Sequence, residues 1–350
     1  MIGLVLAGGG VRGSYEIGAY YAFKECNIKF DGYVGTSIGS LNAAFLAAQK
    51  DQEILDLWVN ADIPHVLGLD DDYAKFLNKS KISTNILQHL ILNGKEIIEN
   101  KGLSNDNLEE VLEKANLEQE IRKNNLDYGL VTVKVKDDSE ELEPIYVFKE
   151  DIPNGKLNEY ILASCHFPIF KQEKTIDNNY YIDGGFYDNA PANMLLDKGY
   201  DKVYIIDLSA IGVRRRIKDI HKTVIIEPSH NLKSIMNTNK TDIINNIKLG
   251  YYDTLKILKN LDGNKFIFKN VSPEKYESLI TNVNPELLDE MKERFFYEDS
   301  KKLILDVIEY LMLLYGYDYM KIYDPLEIIN EIRQSNINTN VFEFIRELNI

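Results

Sequence analysis

The first fifty residues most restrict what this chain can fold into. An apolar run at residues 2–7 leads into a glycine-rich turn, then a stretch of helical spacing from Ser14 to Glu25. A short apolar segment at 31–35, a second glycine turn and an Ala- and Leu-rich segment at 37–49 follow. A continuous apolar run predicts a strand buried on both faces. Ile17, Tyr20, Tyr21 and Lys24 recur a turn apart, as a helix requires. Strand, turn and helix, twice over, predict an α/β protein with a parallel sheet and helical crossovers. The opening run has no basic residue before it, is too short for a signal-peptide core and ends in glycines, so it reads as a first strand.

Residues 51–127 are mostly helical and charged, with a loop at Asp70, Asp71 and Asp72 and a helix starting near Ser104, ahead of Leu108, Val111 and Leu112. Alternation at 128–135 and 145–148 predicts two strands, joined in a hairpin through Asp137, Asp138 and Ser139. Further strands are expected at 180–182, 202–208 and 223–226, the last stopped by Pro228. From Asn231 onward the pattern is helical. The predicted organisation is an α/β domain over 1–230 and a helical extension, 231–350, packed on it. The longest apolar run outside the first strand, residues 310–315, is far below membrane-spanning length. Residues 303–323 around it, with Asp306 and Glu309 on one face, predict a buried bundle helix; a lipid-facing lid or an oligomer contact is the alternative.

Composition narrows the partners. The 350 residues are 45% hydrophobic and 27% charged, a normal globular mix. A net charge of −15 disfavours nucleic acid and a mainly electrostatic grip on anionic lipid. The two cysteines, Cys26 and Cys165, form no CxxC spacing and no disulfide framework, so a reducing, cytoplasmic setting is expected, with peripheral membrane contact left open. The oligomeric state is not legible.

Three segments carry chemistry. The first is Gly8-Gly9-Gly10-Val11-Arg12-Gly13, a G-x-G-x-x-G loop between strand and helix. A dinucleotide fingerprint would need an acidic residue after the second strand, but Asp31 precedes it and Gly35-Thr36-Ser37 stands in that place. The loop reads instead as a nest of backbone N–H groups that attracts negative charge, with a plain structural turn as the alternative. The second is Gly35-Thr36-Ser37-Ile38-Gly39, a G-x-S-x-G between strand and helix, the context of a nucleophile elbow; an ordinary Ser cap is the bland reading. Gly13 and Gly35 lie 22 positions apart, so one crossover brings both loops to the same sheet edge. The third is Asp183-Gly184-Gly185, a carboxylate on a tight bend after a strand: a turn cap, or the base that Ser37 lacks. In a parallel sheet, loops after strands gather at one edge, which would bring Asp183 to Ser37. None of His65, His89, His166, His221 and His230 has a local motif marking it as a base, although His221 and His230 follow Asp183 in the order a Ser-Asp-His triad would need.

These motifs together resemble the patatin-like phospholipase family. That family pairs a G-G-G-x-R-G loop, a G-x-S-x-G elbow and a D-G-G or D-G-A motif, in the order found here. Ala163-Ser164-Cys165-His166-Phe167-Pro168-Ile169-Phe170 is similar to its A-S-x-A-x-P-x-x-F stretch, with His166 where a small residue is usual. Asn189-Ala190-Pro191 fits the N-x-P that follows the aspartate. The resemblance covers about 1–230 and implies a three-layer α/β/α fold with a mostly parallel central sheet.

It further implies a serine lipid acyl hydrolase of phospholipase A or lysophospholipase type. Ser37 would be the nucleophile and Asp183 the base, with Gly8, Gly9, Gly10, Val11, Arg12 and Gly13 as oxyanion loop, supported by Gly35, Gly39, Gly184 and Gly185. No metal or organic cofactor is implied, and the substrate is a lipid acyl ester. An esterase or thioesterase using a Ser-Asp-His triad is the alternative enzyme, and a binding module that kept only the nest is a third. Arg214-Arg215-Arg216 with Lys218 and Lys222 reads as a solvated loop or a headgroup-phosphate contact.

Overall fold

The computed structural model describes residues 1–66, 106–136, 142–167, 175–335 and 337–350. The sequence expectations at Asp70, Asp71, Asp72, His89, Ser104, Asp137, Asp138, Ser139, Pro168, Ile169 and Phe170 lie outside them. The described chain forms two compact units, Met1–Asp253 and Thr254–Ile350, so the division falls later than the change of sequence pattern at residue 230.

The first unit opens as the hydrophobic pattern requires. β1 (Ile2–Leu6) leads into a 3-10 turn at Gly10–Gly13 and α1 (Ser14–Glu25). β2 (Gly32–Thr36) leads into α2 (Ile38–Ala47). α3 (Asp51–Asn60), α4 (Ile63–Val66), α5 (Asp106–Ala115) and α6 (Leu117–Lys123) precede β3 (Asp127–Val135). β4 (Leu142–Phe148), α7 (Leu157–Ser164), β5 (Tyr180–Asp183), α8 (Ala192–Asp197), β6 (Lys202–Ile206) and β7 (Thr223–Ile226) follow. The strands form one mixed sheet in the order β4-β3-β2-β1-β6-β7, with β5 also on β3. β3, β2, β1, β6 and β7 are mutually parallel, and β4 and β5 run antiparallel to β3.

Alternation along the strands supplies both faces of the sheet. Val5, Val34, Val131, Val203 and Ile205 pack with Met194 and Leu195 of α8. On the other face Tyr204 meets Phe23 of α1 edge to face, ring centroids 4.8 Å apart. The sheet is therefore the middle of three layers. α1 is crossed by α9 (Lys240–Leu258) at unusually short range. A Cβ on Gly18 would sit 1.7 Å from the Ile247 carbonyl, and one on Gly250 would sit 2.0 Å from that of Tyr15.

The second unit is mainly helical: α10 (Pro273–Leu279), α11 (Pro285–Arg294), α12 (Ser300–Tyr315), α13 (Pro325–Arg333) and α14 (Asn340–Glu347). Asn284, Asp299 and Asp324 each accept a backbone N–H at the start of α11, α12 and α13, as their residue types favour. Leu303, Ile304, Val307, Ile308 and Leu311 of α12 are fully buried in its core. Sequence periodicity missed two features here. α12 stops at Gly316, whose φ of 69° is left-handed, so the apolar stretch 303–323 is not one helix. Beyond it, β9 (Ile322–Tyr323) pairs in parallel with β8 (Ile267–Phe268), and two-residue strands are too short to show a period.

Candidate active site

Ser37 ends β2 and starts α2, and its backbone is strained, with φ 54° and ψ −132°. A β-substituted residue adopts that conformation only where its surroundings over-determine it. Here they do. The Ser37 N–H donates to Ser164 Oγ at 2.9 Å, and Ser164 donates in turn to the Val131 carbonyl at 2.7 Å. The Ser37 carbonyl accepts from the Ser40 N–H at 2.8 Å and the Ser40 hydroxyl at 2.7 Å. Gly39 lets the elbow press on β1, since a Cβ there would lie 2.1 Å from the Leu6 carbonyl. Gly35 is closed in the same way by the Gly39 carbonyl, at 2.3 Å. Ser164 belongs to the A-S-x-A-x-P-like stretch, and the role its hydroxyl plays was not legible from the motif.

Asp183 reaches Ser37 by a different route from the one expected. β5 does not run parallel to β2. Along β3, residues 127–131 pair with β2 and residues 132–135 pair with β5. β4 covers the opposite edge of β3 over Gly129–Val135. β2 and β5 therefore approach head-on along one edge of β3. Thr36 stands opposite Val131 and Asp183 opposite Thr132, so the two strand ends abut. Ser37 Oγ donates to Asp183 Oδ2 at 2.5 Å. The Gly185 N–H donates to Asp183 Oδ1 at 2.7 Å, and the Asp183 N–H to the His166 carbonyl at 2.9 Å. Gly184 lies against β3, where a Cβ would meet the Val131 carbonyl at 2.2 Å. Burial pushes the Asp183 carboxyl up to about 6, against the two hydrogen bonds that favour its charged form.

The glycine loop borders the same cavity as Ser37 and Asp183. Its donors are unequally available. The Gly8 N–H donates to the Asn189 carbonyl at 3.0 Å, Val11 to Ile235 at 2.8 Å and Arg12 to Gly9 at 3.2 Å. Gly13 turns away at the start of α1. Gly9 and Gly10 are left, since among the described residues their N–H groups have no acceptor. Gly10 has φ +56°, and a Cβ on it would press on the Ile235 carbonyl at 2.4 Å. The Arg12 guanidinium anchors the loop by donating to the carbonyls of Lys233 and Ser209, at 2.8 and 2.9 Å.

Two buried asparagines hold the ends of this loop. Asn42 of α2 donates to the Gly13 carbonyl at 3.0 Å and to Glu16 Oε2 at 2.7 Å, and accepts from Trp58 Nε1 at 3.1 Å. Asn189 donates from Nδ2 to the Gly8 carbonyl at 3.0 Å. Its amide sits among three glycines. Cβ atoms on Gly8, Gly185 and Gly212 would lie 2.3, 2.8 and 3.0 Å from Asn189 Oδ1.

The rest of the cavity lining is largely apolar and includes Ile38, Leu41, Leu57, Trp58, Ile63 and Val66. No histidine lines it among the described residues. Nor do those residues include a cluster of His, Cys, Asp and Glu able to hold a metal. The basic run is largely engaged within the fold. Arg214 pairs with Asp207 through two bonds of 2.7 and 2.6 Å, Arg215 stacks 3.6 Å over the Tyr187 ring, and Lys218 pairs with Asp197 at 2.7 Å.

The chain belongs to the patatin-like phospholipase family, whose model matches residues 4–196. Over 50 residues the chain is 46% identical to lysophospholipase nte1 of Aspergillus terreus, a match covering 14% of this chain and only 3% of that protein. Among solved structures it is similar to VipD of Legionella pneumophila, at 16% identity and TM-score 0.46, covering 98% of this chain and 83% of VipD. It is also similar to ExoU of the Pseudomonas aeruginosa type III secretion system, solved with SpcU, at 14% identity and TM-score 0.43, covering 99% of this chain and 76% of the other. Among the described residues no helix is long and apolar enough to cross a membrane.

Proposed function

We propose that the protein hydrolyses acyl esters of lipids, in the manner of a phospholipase A or lysophospholipase, through a Ser-Asp dyad and an acyl-enzyme. The observation that carries this reading is the 2.5 Å hydrogen bond from Ser37 Oγ to Asp183 Oδ2, two residues that line a largely apolar cavity. A serine hydroxyl is a weak nucleophile until a neighbour takes its proton. Asp183 accepts that proton as Ser37 Oγ attacks the ester carbonyl. The carbonyl oxygen becomes an oxyanion beside the Gly9 and Gly10 N–H groups. When the C–O bond breaks, Asp183 passes the proton to the departing alkoxide and Ser37 keeps the acyl group. Water, losing a proton to Asp183, then attacks the acyl-enzyme; as the bond from the acyl carbon to Ser37 Oγ breaks, Asp183 returns the proton to Ser37 and the fatty acid leaves.

A carboxylate lifted to about 6 is a better match to neutral pH than one near 4. The apolar wall suits an acyl chain. The alternative, an esterase or thioesterase with a histidine triad, is disfavoured because Asp183 bonds Ser37 directly and no described histidine lines the cavity. The test is labelling with a fluorophosphonate probe. The wild type is expected to be labelled at Ser37 and Ser37→Ala to remain unlabelled, with turnover near background. Lipid mass spectrometry of a phospholipid mixture should then show free fatty acid and lysolipid with the wild type only. Labelling at another serine would overturn the assignment.

A further inference from the structure

We infer that Asn189 is a positioning residue for the oxyanion loop: it fixes the plane of the Gly8-Gly9 peptide and so the aim of the Gly9 N–H. The inference rests on the reading of Ser37 and the glycine loop given above. The Gly8 carbonyl and the Gly9 N–H belong to one planar peptide unit, so holding one end sets the other. Asn189 Nδ2 holds the carbonyl at 3.0 Å. The carbonyl of the same residue holds the preceding N–H, that of Gly8, also at 3.0 Å. The chain at Gly8 is thus clamped on both sides by one residue.

Asn189 is itself held. It is 2% exposed, and its N–H donates to the Val213 carbonyl at 2.7 Å, while the Val213 N–H donates to the Gly185 carbonyl at 2.9 Å. Gly185 also supplies the N–H that orients Asp183. Asn189 therefore links the donor loop to the turn that carries the base. Its amide occupies space that three glycines leave open, since a Cβ on Gly8, Gly185 or Gly212 would crowd Oδ1. A hydrogen bond to a peptide carbonyl also polarises that peptide, which strengthens its N–H as a donor. Both effects act on charge that exists only in the transition state, so they belong in kcat and not in ground-state binding.

The experiment compares wild type with Asn189→Leu, similar in shape but without the donor, on a water-soluble short-chain ester. Expected are a kcat lower by 10- to 100-fold and a KM within threefold of wild type. That loss stays below the 10²–10³ typical of deleting an oxyanion donor outright. Inhibition by a trifluoromethyl ketone, whose adduct on Ser37 carries an oxyanion, should weaken by the same factor as kcat. Asn189→Asp is isosteric and is read in the same way if Asn189→Leu does not fold. An asparagine that only supports the fold would lower the melting temperature and leave kcat per folded molecule unchanged; that result, or a loss confined to KM, would overturn the inference. Fluorophosphonate labelling of the wild type keeps the two readings apart. An unlabelled wild type defeats the proposed function, whereas a labelled wild type with a fully active variant defeats only the role of Asn189.

Discussion

Asp183 is 4% exposed, and taking a carboxylate out of water favours its neutral form. Its pKa, raised to about 6, gives two predictions of opposite sign. The proposed mechanism needs the ionised carboxylate, so ester hydrolysis should fall as pH drops through about 6, with one group controlling that limb. Asp183→Asn should remain folded and lose several decades of turnover at every pH. Stability runs the other way. A carboxyl whose folded pKa lies above its unfolded value favours folding at low pH, and that contribution is lost as pH rises through the folded value. Above pH 6 the ionised side chain therefore costs at most about 3 kcal/mol. Asp183→Asn should melt at a higher temperature than wild type, with a gap wider at pH 8 than at pH 5. Calorimetry at the two pH values checks this, and a gap that narrows on raising the pH would refute it. Ser37 and Asp183 could be picked out from the sequence because glycines frame each of them. Asn189 and Ser164 could not be given roles, because their work is done by hydrogen bonds to segments distant in sequence.

Among the elements, the opening strands and helices formed close to where their hydrophobic patterns indicated, since the full burial of β1 writes itself as an unbroken apolar run. The direction of β5 was not legible. Four residues carry no sign of strand orientation, and the expectation of a parallel arrangement was corrected by its pairing with β3. The crossing of α1 and α9 was equally silent, although it makes two glycines indispensable. A methyl group at Gly18 or Gly250 would strike a carbonyl of the opposing helix. Backbone cannot rotate out of the way, so overpacking of the 1–3 kcal/mol kind is expected. Gly18→Ala and Gly250→Ala should each lower the melting temperature by several degrees, although alanine is the better helix former. Thermal unfolding of the two variants tests this, and an unchanged or raised midpoint would show that the helices can separate at little cost.

For the whole molecule, a net charge of −15 opposes approach to an anionic lipid surface. The Debye length is about 10 Å at 0.1 M salt and about 3 Å at 1 M, so salt should relieve that repulsion. Hydrolysis of vesicles rich in anionic phospholipid is expected to rise between low and moderate ionic strength, while hydrolysis of zwitterionic vesicles changes little. A fall in the rate on anionic vesicles would instead reveal a local cationic docking face. The head-on meeting of β2 and β5 has a consequence in time as well. Ser37 and Asp183 are 146 residues apart, and the edge of β3 that they share lies between them in the chain. At a translation rate of roughly 5–20 residues per second, about 7–30 s separate synthesis of Ser37 from that of Asp183, its proposed base. Until then a ribosome-bound chain carries Ser37 without the carboxylate that would take its proton, and its glycine loop still lacks the Asn189 and Ile235 that hold it. On the proposed mechanism, the nascent polypeptide cannot acylate Ser37 until β5 has docked.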